Sequence, residues 1–296
     1  MNEQDRPFKN ADNYKTGYGK KAMEKPSWQE RAKKDKEWAN KTSDEMALAV
    51  SQDMKKFVEY LDVQSKFEMY SASNTLLILN QDKNATYLRE FKKWKEDGFE
   101  IEDLNKKVII VKPEPVKKED GSTVVFYNAK RLFDVSNTNA PRLEEKEIPD
   151  KESILKSILN SYDWQVEVVD SLDNGSLAKY DNETNTIQIC RGQDIDSKLQ
   201  DIVQETAKKF YEIKPDDENK KVKQFKSTCV AYMFCKKFGI DFPTDSFKEL
   251  PNMLSGEVKE IKAELESIKD VYATIKDRMF ATLEQERNKP SKEQER

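Results

Sequence analysis

Residues 202–210, with the sequence IVQETAKKF, have the spacing of a hydrolytic metal site without its metal ligands. Apolar residues recur here every three or four positions, which predicts an amphipathic helix. On such a helix, two histidines four residues apart would bind zinc, and a glutamate beside the first would act as general base. Glu205 occupies the glutamate position, but Gln204 and Lys208 occupy the histidine positions. The frame of the motif is therefore present without the residues that would bind the metal.

The chain contains no histidine among its 296 residues. Histidine is the usual general base near neutral pH and a common zinc ligand. Ser-His-Asp, Cys-His and histidine-ligated metal chemistry are therefore excluded, whereas a magnesium site made of carboxylates, or an acid/base pair of carboxylates, stays open. The three cysteines, Cys190, Cys229 and Cys235, form no CxxC pair, and we interpret them as reduced core residues.

The composition is that of a highly charged protein without an overall positive charge. Charged and hydrophobic residues each make up 36% of the chain, and the formal net charge is −4. Binding to nucleic acid would therefore need a local cluster of lysine and arginine. No apolar run approaches the roughly 20 residues of a membrane span, and the polar N-terminus lacks the apolar segment of a signal peptide. We expect a cytoplasmic protein with no membrane partner.

The elements that must position these residues form an α+β fold of two small α+β domains and a C-terminal helix. Residues 1–41 have no apolar period and are predicted to be a disordered tail. The first domain, 42–142, begins at a capping box of Thr42 and Glu45. Its helices are predicted at 42–61, 71–81 and 86–98, and its strands at 106–113, 122–130 and 131–138.

The second domain, 150–250, is predicted to contain a helix, a strand, a hairpin and two further helices. These elements are expected at 150–161, 164–170, 177–190, 197–211 and 222–239. The C-terminal helix, 255–290, carries apolar residues at alternating spacings of three and four from Val258 to Met279, which is a heptad seam. The seam is compatible with a homodimer through this helix and with packing back onto the same chain, and both stay open.

The second domain resembles the zincin-like C-terminal domain of the ArdC-type antirestriction proteins and their LtrC-like relatives. The stretches YDNETNTIQI, LQDIVQETAKKFY and STCVAYMFCKKFGID follow one another in the family's order. The resemblance implies that Thr228 stands where active members have a third metal ligand. Gln204, Lys208 and Thr228 would then replace all three ligands, and only Glu205 would be retained. We predict a vestigial site with no metal and no other cofactor, in a pseudo-metallopeptidase that is not an enzyme.

The first domain resembles the N-terminal single-stranded-DNA-binding domain of the same family. The stretch FEMYSASNTLLILNQDKNATYLREFKKWKEDG carries this resemblance, and RLFDVSNT resembles the family's closing strand. The family usually has a glycine-containing basic turn after the tryptophan helix, whereas EDLNKKV has two lysines and no glycine. Lysine and arginine neutralise phosphates, and aromatic side chains stack on bases. The predicted nucleic-acid-binding residues are Asn74, Arg89, Lys92, Lys93, Trp94, Lys106, Lys107 and Arg131.

These patterns predict a non-catalytic accessory protein of a mobile genetic element that binds single-stranded DNA. Protection of transferred DNA from restriction is what the resemblance implies. The alternative is a protein-interaction module, in which the degenerate zincin-like domain and the C-terminal helix bind a conjugation or host defence protein without DNA. The net acidity favours the alternative, and the N-terminal pattern favours DNA binding.

Overall fold

The computed structural model describes residues 27–141, 148–173, 175–192, 194–211, 217–243, 247, 254 and 256–288. These residues form eight α-helices and six strands. The helices are α1 (Trp28–Gln52), α2 (Met54–Lys66), α3 (Ala72–Asp82), α4 (Phe91–Glu96), α5 (Lys151–Asn160), α6 (Ile195–Phe210), α7 (Asp217–Lys237) and α8 (Val258–Arg287). The strands are β1 (Leu88–Glu90), β2 (Val108–Lys117), β3 (Thr123–Asp134), β4 (Gln165–Val169), β5 (Ala178–Asp181) and β6 (Thr186–Cys190).

The strands form two separate three-stranded sheets. The first has the order β1-β3-β2 and is antiparallel throughout. The second has the order β4-β6-β5, in which β4 runs parallel to β6 and β5 runs antiparallel to it. The predicted α+β class is confirmed. Within the described residues, no helix is both long enough and apolar enough to cross a membrane.

The first helix begins at Trp28, so the predicted disordered tail ends too late in the chain. Residues 1–26 lie outside the described residues, but 27–41 are described and belong to α1 or its cap. The capping box is formed by Ser27 and Glu30, each of which binds the other's backbone N–H through its side chain. Thr42 is buried inside the helix and does not begin it. The sequence pattern missed this segment because a local cap and surface charges, and few apolar side chains, define it.

The third strand of the first sheet is β1 and not residues 131–138. β3 continues without interruption to Asp134, and a short 3₁₀ turn, Val135–Asn137, follows it. One carboxylate oxygen of Asp134 accepts hydrogen bonds from the backbone N–H groups of Thr86 and Tyr87, at 2.7 and 2.8 Å. These bonds hold the start of β1 beside β3. Residues 88–90, predicted as part of a helix, are therefore extended.

One continuous hydrophobic core joins the two predicted domains. Buried residues from α2, α5, α7 and α8 belong to the same cluster. The rings of Phe57 on α2 and Phe225 on α7 lie 5.4 Å apart, and Tyr232 on α7 donates a hydrogen bond to Asp62 on α2 at 2.6 Å. The two sequence segments therefore contribute to one shared core. All three cysteines are free and buried, as expected of core residues.

The C-terminal helix α8 packs back onto the body of the same chain. Its heptad residues from Ile261 onward are buried in the shared core, among them Leu265, Ile268 and Tyr272. Its polar flank is also engaged, because the Glu266 carboxylate accepts a hydrogen bond from the backbone N–H of Ala72 at 2.6 Å. The seam is therefore covered by the chain's own helices, which is the second of the two arrangements that the sequence left open.

Candidate functional site

The vestigial residues of the metal frame meet where α6 crosses α7. The Gln204 side-chain amide donates to the Thr228 hydroxyl at 2.5 Å, and that hydroxyl donates to the backbone carbonyl of Gln224 at 2.9 Å. Lys208, one turn further along α6, pairs with Glu205 at 2.5 Å. The structure thus brings together the four residues that the sequence indicated. Their polar atoms bind one another and the backbone.

The retained glutamate binds the edge of the second sheet. One Glu205 carboxylate oxygen accepts from the Lys208 ammonium, and the other accepts from the backbone N–H of Tyr180 on β5 at 3.1 Å. One turn earlier, Asp201 accepts from the backbone N–H of Leu177 at 2.6 Å. Burial raises the pKa of the Asp201 carboxyl, and the nearby Glu205 charge acts in the same direction. The two carboxylates therefore anchor α6 to the outer edge of β5, a role that the motif did not reveal.

Asn74 is buried and serves the first sheet rather than a nucleic-acid surface. Its side-chain amide donates to the carbonyl of Val111 at 2.8 Å and its amide oxygen accepts from the N–H of Val111 at 2.9 Å. Gln81, two turns along α3, makes the same pair of bonds with Ile109, both at 2.9 Å. The prediction that Asn74 contacts DNA is wrong, because both ends of its amide are already bound to β2.

Trp94 is also a core residue and cannot stack on a base. It is buried against Phe133 and Val135, and its indole N–H donates to the backbone carbonyl of Phe133 at 3.0 Å. Arg89 lies with its guanidinium 5.2 Å from the Trp94 ring and forms an ion pair with Asp97. The prediction for Trp94 is wrong, and Arg89 is largely occupied by local contacts.

The remaining basic candidates differ in how far they are engaged. Arg131 binds Asp35 of α1 through two guanidinium nitrogens, at 2.7 and 2.6 Å, so it holds α1 against β3. The Lys92 and Lys93 side chains are 84% and 62% exposed, although both lie near Glu96.

Lys106 and Lys107 lie at the end of the loop that enters β2. That loop is held by Asn137, whose side-chain amide donates to the carbonyl of Asp103 at 2.8 Å. Lys106 is exposed and Lys107 is half-buried. Within the described part of the chain, neither ammonium group has an ion-pair partner. Four of the eight predicted residues, Lys92, Lys93, Lys106 and Lys107, thus keep side chains that can reach a phosphate.

Exposed aromatic side chains complete the inventory. Tyr87 and Phe91 flank Arg89 at the start of α4 and remain partly exposed. Phe126 and Tyr127, on β3, are 51% and 55% exposed. Phe126 was missed by the sequence reasoning, although one signal was present. Consecutive residues of a strand point to opposite faces, so two adjacent aromatic residues cannot both face one core.

Comparison with known proteins shows similarity only at the level of the fold. No family model and no curated protein matches the chain. The Mn(II)-bound crystal structure of the antirestriction protein ArdC from the R388 plasmid matches with a TM-score of 0.50 and 10% identity, over 71% of this chain and 85% of that one. The chain has an ArdC-like fold. The metal-free ArdC structure matches with a TM-score of 0.47 and 12% identity, over 72% of this chain and 86% of that one.

The ArdC-like fold raises the question whether α6 and α7 could hold a metal ion. Of the four vestigial residues, Gln204 and Thr228 are neutral and would be weak metal ligands, and their side chains bind each other. The Lys208 ammonium has no lone pair with which to bind a metal. The Glu205 carboxylate is bound by Lys208 and by the backbone. The described residues contain no group of three or more Cys, Asp or Glu side chains placed to bind a metal. The residues at this position do not fit a metal ion.

Glu205 is expected to stabilise the protein through the edge of β5. In Glu205→Ala, the N–H of Tyr180 and the Lys208 ammonium lose their acceptor in a site where the Glu205 side chain is only 15% exposed. We expect the free energy of unfolding to fall by about 1–3 kcal/mol, measured by urea denaturation. Glu205→Gln keeps an amide oxygen for Tyr180 and should lose less. Equal stability of wild type and Glu205→Ala would show that this anchor contributes nothing.

Proposed function

We propose that this protein is an accessory protein of a mobile genetic element that binds single-stranded DNA and does no chemistry at a metal. The fold supports the proposal because the matching structure is that of an antirestriction protein from a plasmid. In this proposal, binding to the transferred strand protects it from restriction. The protein remains in the cytoplasm, where that strand would arrive.

The observation that carries the proposal is the set of four exposed or half-exposed lysines around α4 and the start of β2. Lys92 and Lys93 project from α4, and Lys106 and Lys107 project from the loop before β2. The partly exposed Phe91 ring lies beside the lysines of α4. Lysine side chains neutralise phosphates regardless of sequence, and exposed rings stack on any base. These side chains therefore suit a single strand bound with little sequence preference.

The surrounding charges predict a modest affinity. Glu96 already attracts Lys92 and Lys93, at 3.6 and 3.0 Å, and a phosphate would have to compete with it. Arg89 and Arg131 are committed to Asp97 and Asp35. With few phosphate contacts, binding would be weak at high ionic strength, and its dependence on salt would be shallower than that of a protein with many contacts.

The absence of catalysis is the second part of the proposal. It is supported by the Gln204–Thr228 hydrogen bond, which occupies the place where two metal ligands would converge, and by the Lys208 charge beside it. A glutamate without a metal-bound water has no activated nucleophile to produce. Glu205 instead binds the backbone of β5, as described above.

A salt titration of binding to a fluorescent oligothymidylate tests the proposal. If the four lysines each neutralise one phosphate, the logarithm of the affinity should fall against the logarithm of the salt concentration with a slope near −3, at about −0.7 per contact. That slope corresponds to a loss of about 50-fold between 50 and 200 mM salt. The variant with Lys92, Lys93, Lys106 and Lys107 replaced by Gln should bind weakly and show a slope near zero.

A matched control removes the same charge elsewhere. Lys179, Lys221, Lys237 and Lys259 are exposed lysines of the second half of the chain, and replacing all four by Gln changes the net charge equally. The control should keep the wild-type slope, and addition of zinc or of a chelator should change neither protein's binding. Equal loss in both variants would indicate only general electrostatic attraction. Unchanged binding in the first variant, or none in wild type, would contradict the proposal.

The protein-interaction alternative retains one specific support. The C-terminal helix α8 is a poor candidate for binding another protein, because its apolar seam is buried in the chain's own core. The degenerate frame on α6 and α7 is likewise satisfied internally. The exposed apolar side chains of β2 and β3, by contrast, lie on a surface that protein contacts would cover.

A further inference from the structure

The distal half of the β2–β3 hairpin projects beyond the core. β2 and β3 are buried at their base, but residues 112–117 and 123–128 are half-exposed or fully exposed. Both faces of this part carry apolar side chains, including Val116, Val125, Phe126 and Tyr127, each 47–55% exposed. An exposed two-stranded ribbon with apolar side chains on both faces is not stable on its own account in water. Its surface is therefore a candidate for burial in an assembly.

The outer edge of β2 offers no free N–H group from Ile109 to Pro115. Near the base, Gln81 and Asn74 bind the outward N–H and C=O groups of Ile109 and Val111. Because backbone groups alternate along a strand, the next two outward N–H positions are 113 and 115. Both are proline, which has no N–H to offer an additional strand. Side-chain clamps and prolines thus prevent pairing at this edge.

The outer edge of β3 has no such protection. The register pairs Val111 with Ala129, position 113 with Tyr127, and position 115 with Val125. In an antiparallel pair, the backbone N–H and C=O groups of two opposite residues either both face the partner strand or both face away from it. The backbone groups of Val111 face away from β3, because they bind Asn74. Those of Val125, Tyr127 and Ala129 therefore face away from β2. β1 pairs with β3 only at 132–134. Over the described residues, no strand or side chain binds the outward backbone groups at 125, 127 and 129.

We propose that this edge pairs with the same edge of a second copy of the chain. The two β3 strands would run antiparallel about a twofold axis at Phe126, which gives a continuous four-stranded sheet of two hairpins. In this register, Val125 lies opposite Tyr127 of the second copy and Phe126 lies opposite its own counterpart. Apolar and aromatic pairs of this kind are the stabilising unit of antiparallel sheets. The contact is isologous, as a twofold dimer requires.

Charge and space both favour this occupant and this register. Residues 123–129 carry no charged side chain, and Lys130 lies opposite Ser122 of the second copy, so like charges are not opposed. In the turn of the second hairpin, Ser122 and Gly121 would lie opposite 130 and 131, and Asp120 would reach the level of Leu132, where Glu90 of β1 pairs. A shift of the axis toward the base would drive that turn into β1. The proposed dimer surface is therefore the unprotected edge of β3 and not the seam of α8, which is buried.

Cross-linking through a single introduced cysteine tests the proposal. Phe126→Cys should form a disulfide-linked dimer under mild oxidation, because opposite residues at the axis have Cα atoms about 4.5 Å apart, within disulfide range. The three native cysteines are buried and should give little background. Val116→Cys, on the same face but on the remote strand, is the matched control and should not cross-link. Equal cross-linking of both variants would overturn the proposal.

A second variant tests the backbone edge without the disulfide. Val125→Pro with Tyr127→Pro removes two outward N–H groups and copies the protection already present on β2 at the opposite positions. We expect wild type to sediment with twice the monomer mass at high concentration and the double variant to sediment as a monomer with an unchanged circular dichroism spectrum. A monomeric wild-type protein would overturn the proposal. This holds also if the edge of β3 is found to bind an extended segment of a different protein.

Discussion

Ile268→Asp is expected to unfold the protein. Ile268 is fully buried on α8, within the core shared by both halves of the chain. A carboxylate there would have no partner, and substitutions that bury an unpaired charge belong to the small class that costs more than about 4–5 kcal/mol. That loss is comparable with the whole stability of many domains, about 5–15 kcal/mol. Far-ultraviolet circular dichroism and size-exclusion chromatography should show an unfolded or aggregated chain.

Ala263→Asp is the matched control for this prediction. Ala263 lies on the exposed side of α8, so the same charge is introduced into the same helix without burial. We expect this variant to retain the wild-type spectrum and melting temperature to within a few degrees. A folded Ile268→Asp protein with the wild-type spectrum would contradict the packing described for α8.

The sequence predicted α8 well but could not predict what covers it. The heptad spacing placed a helix at 255–290, and the structure has it at Val258–Arg287. A seam of this kind states only that one side of the helix is apolar. Here the complementary surface comes from helices distant in the sequence, such as α5 and α7, which are brought together only when the fold is complete.

Elements defined by local signals were predicted, and those that depend on distant partners were not. The β2–β3 hairpin follows from alternation and from the turn at Asp120–Gly121, where Gly121 has a φ of +81°. β1 has only three residues and exists because Asp134, more than forty residues away, binds the backbone at its start. No local pattern could have revealed that contact.

The candidate site shows the same division. The resemblance placed Gln204 and Thr228 in the same vestigial site, and in the structure the Gln204 side-chain amide lies 2.5 Å from the Thr228 hydroxyl. A motif shows which residue types are kept but not which atoms they bind. Asn74 and Trp94 therefore looked like contact residues, although each binds a backbone group of the first sheet.

The same kind of contact explains why several polar residues in helices are buried or half-buried. Asn74 and Gln81 on α3 bind the outer edge of β2, and Asp201 and Glu205 on α6 bind the outer edge of β5. In both cases side chains one or two turns apart on a helix satisfy the backbone groups that an edge strand leaves unpaired. The edge of β3 differs from this pattern, because its outward backbone groups are not bound by side chains. Its exposed apolar side chains are those that the proposed dimer would bury.

Trp94→Ala is expected to separate a core role from a DNA-stacking role. The substitution removes a ring that packs among Phe99, Phe133 and Val135, and it leaves the Phe133 carbonyl without its donor. A buried tryptophan replaced by alanine typically costs about 3–5 kcal/mol, so urea denaturation should show a loss of that size. Tyr87→Ala is the matched comparison, because Tyr87 is partly exposed and forms a T-shaped contact with the Trp94 ring, with centroids 5.8 Å apart.

Trp94→Ala should lose stability but not DNA binding, and Tyr87→Ala should lose little stability. We expect Tyr87→Ala to lose much less stability than Trp94→Ala, because much of its side chain already contacts water. A base-stacking aromatic residue contributes about 1–3 kcal/mol per base, so any loss of affinity for single-stranded DNA should appear with Tyr87→Ala. Trp94→Ala, assayed at low temperature where it is still folded, should bind as wild type does. A stable Trp94→Ala protein that no longer binds DNA would return Trp94 to the binding surface, because a buried core ring cannot be removed without cost.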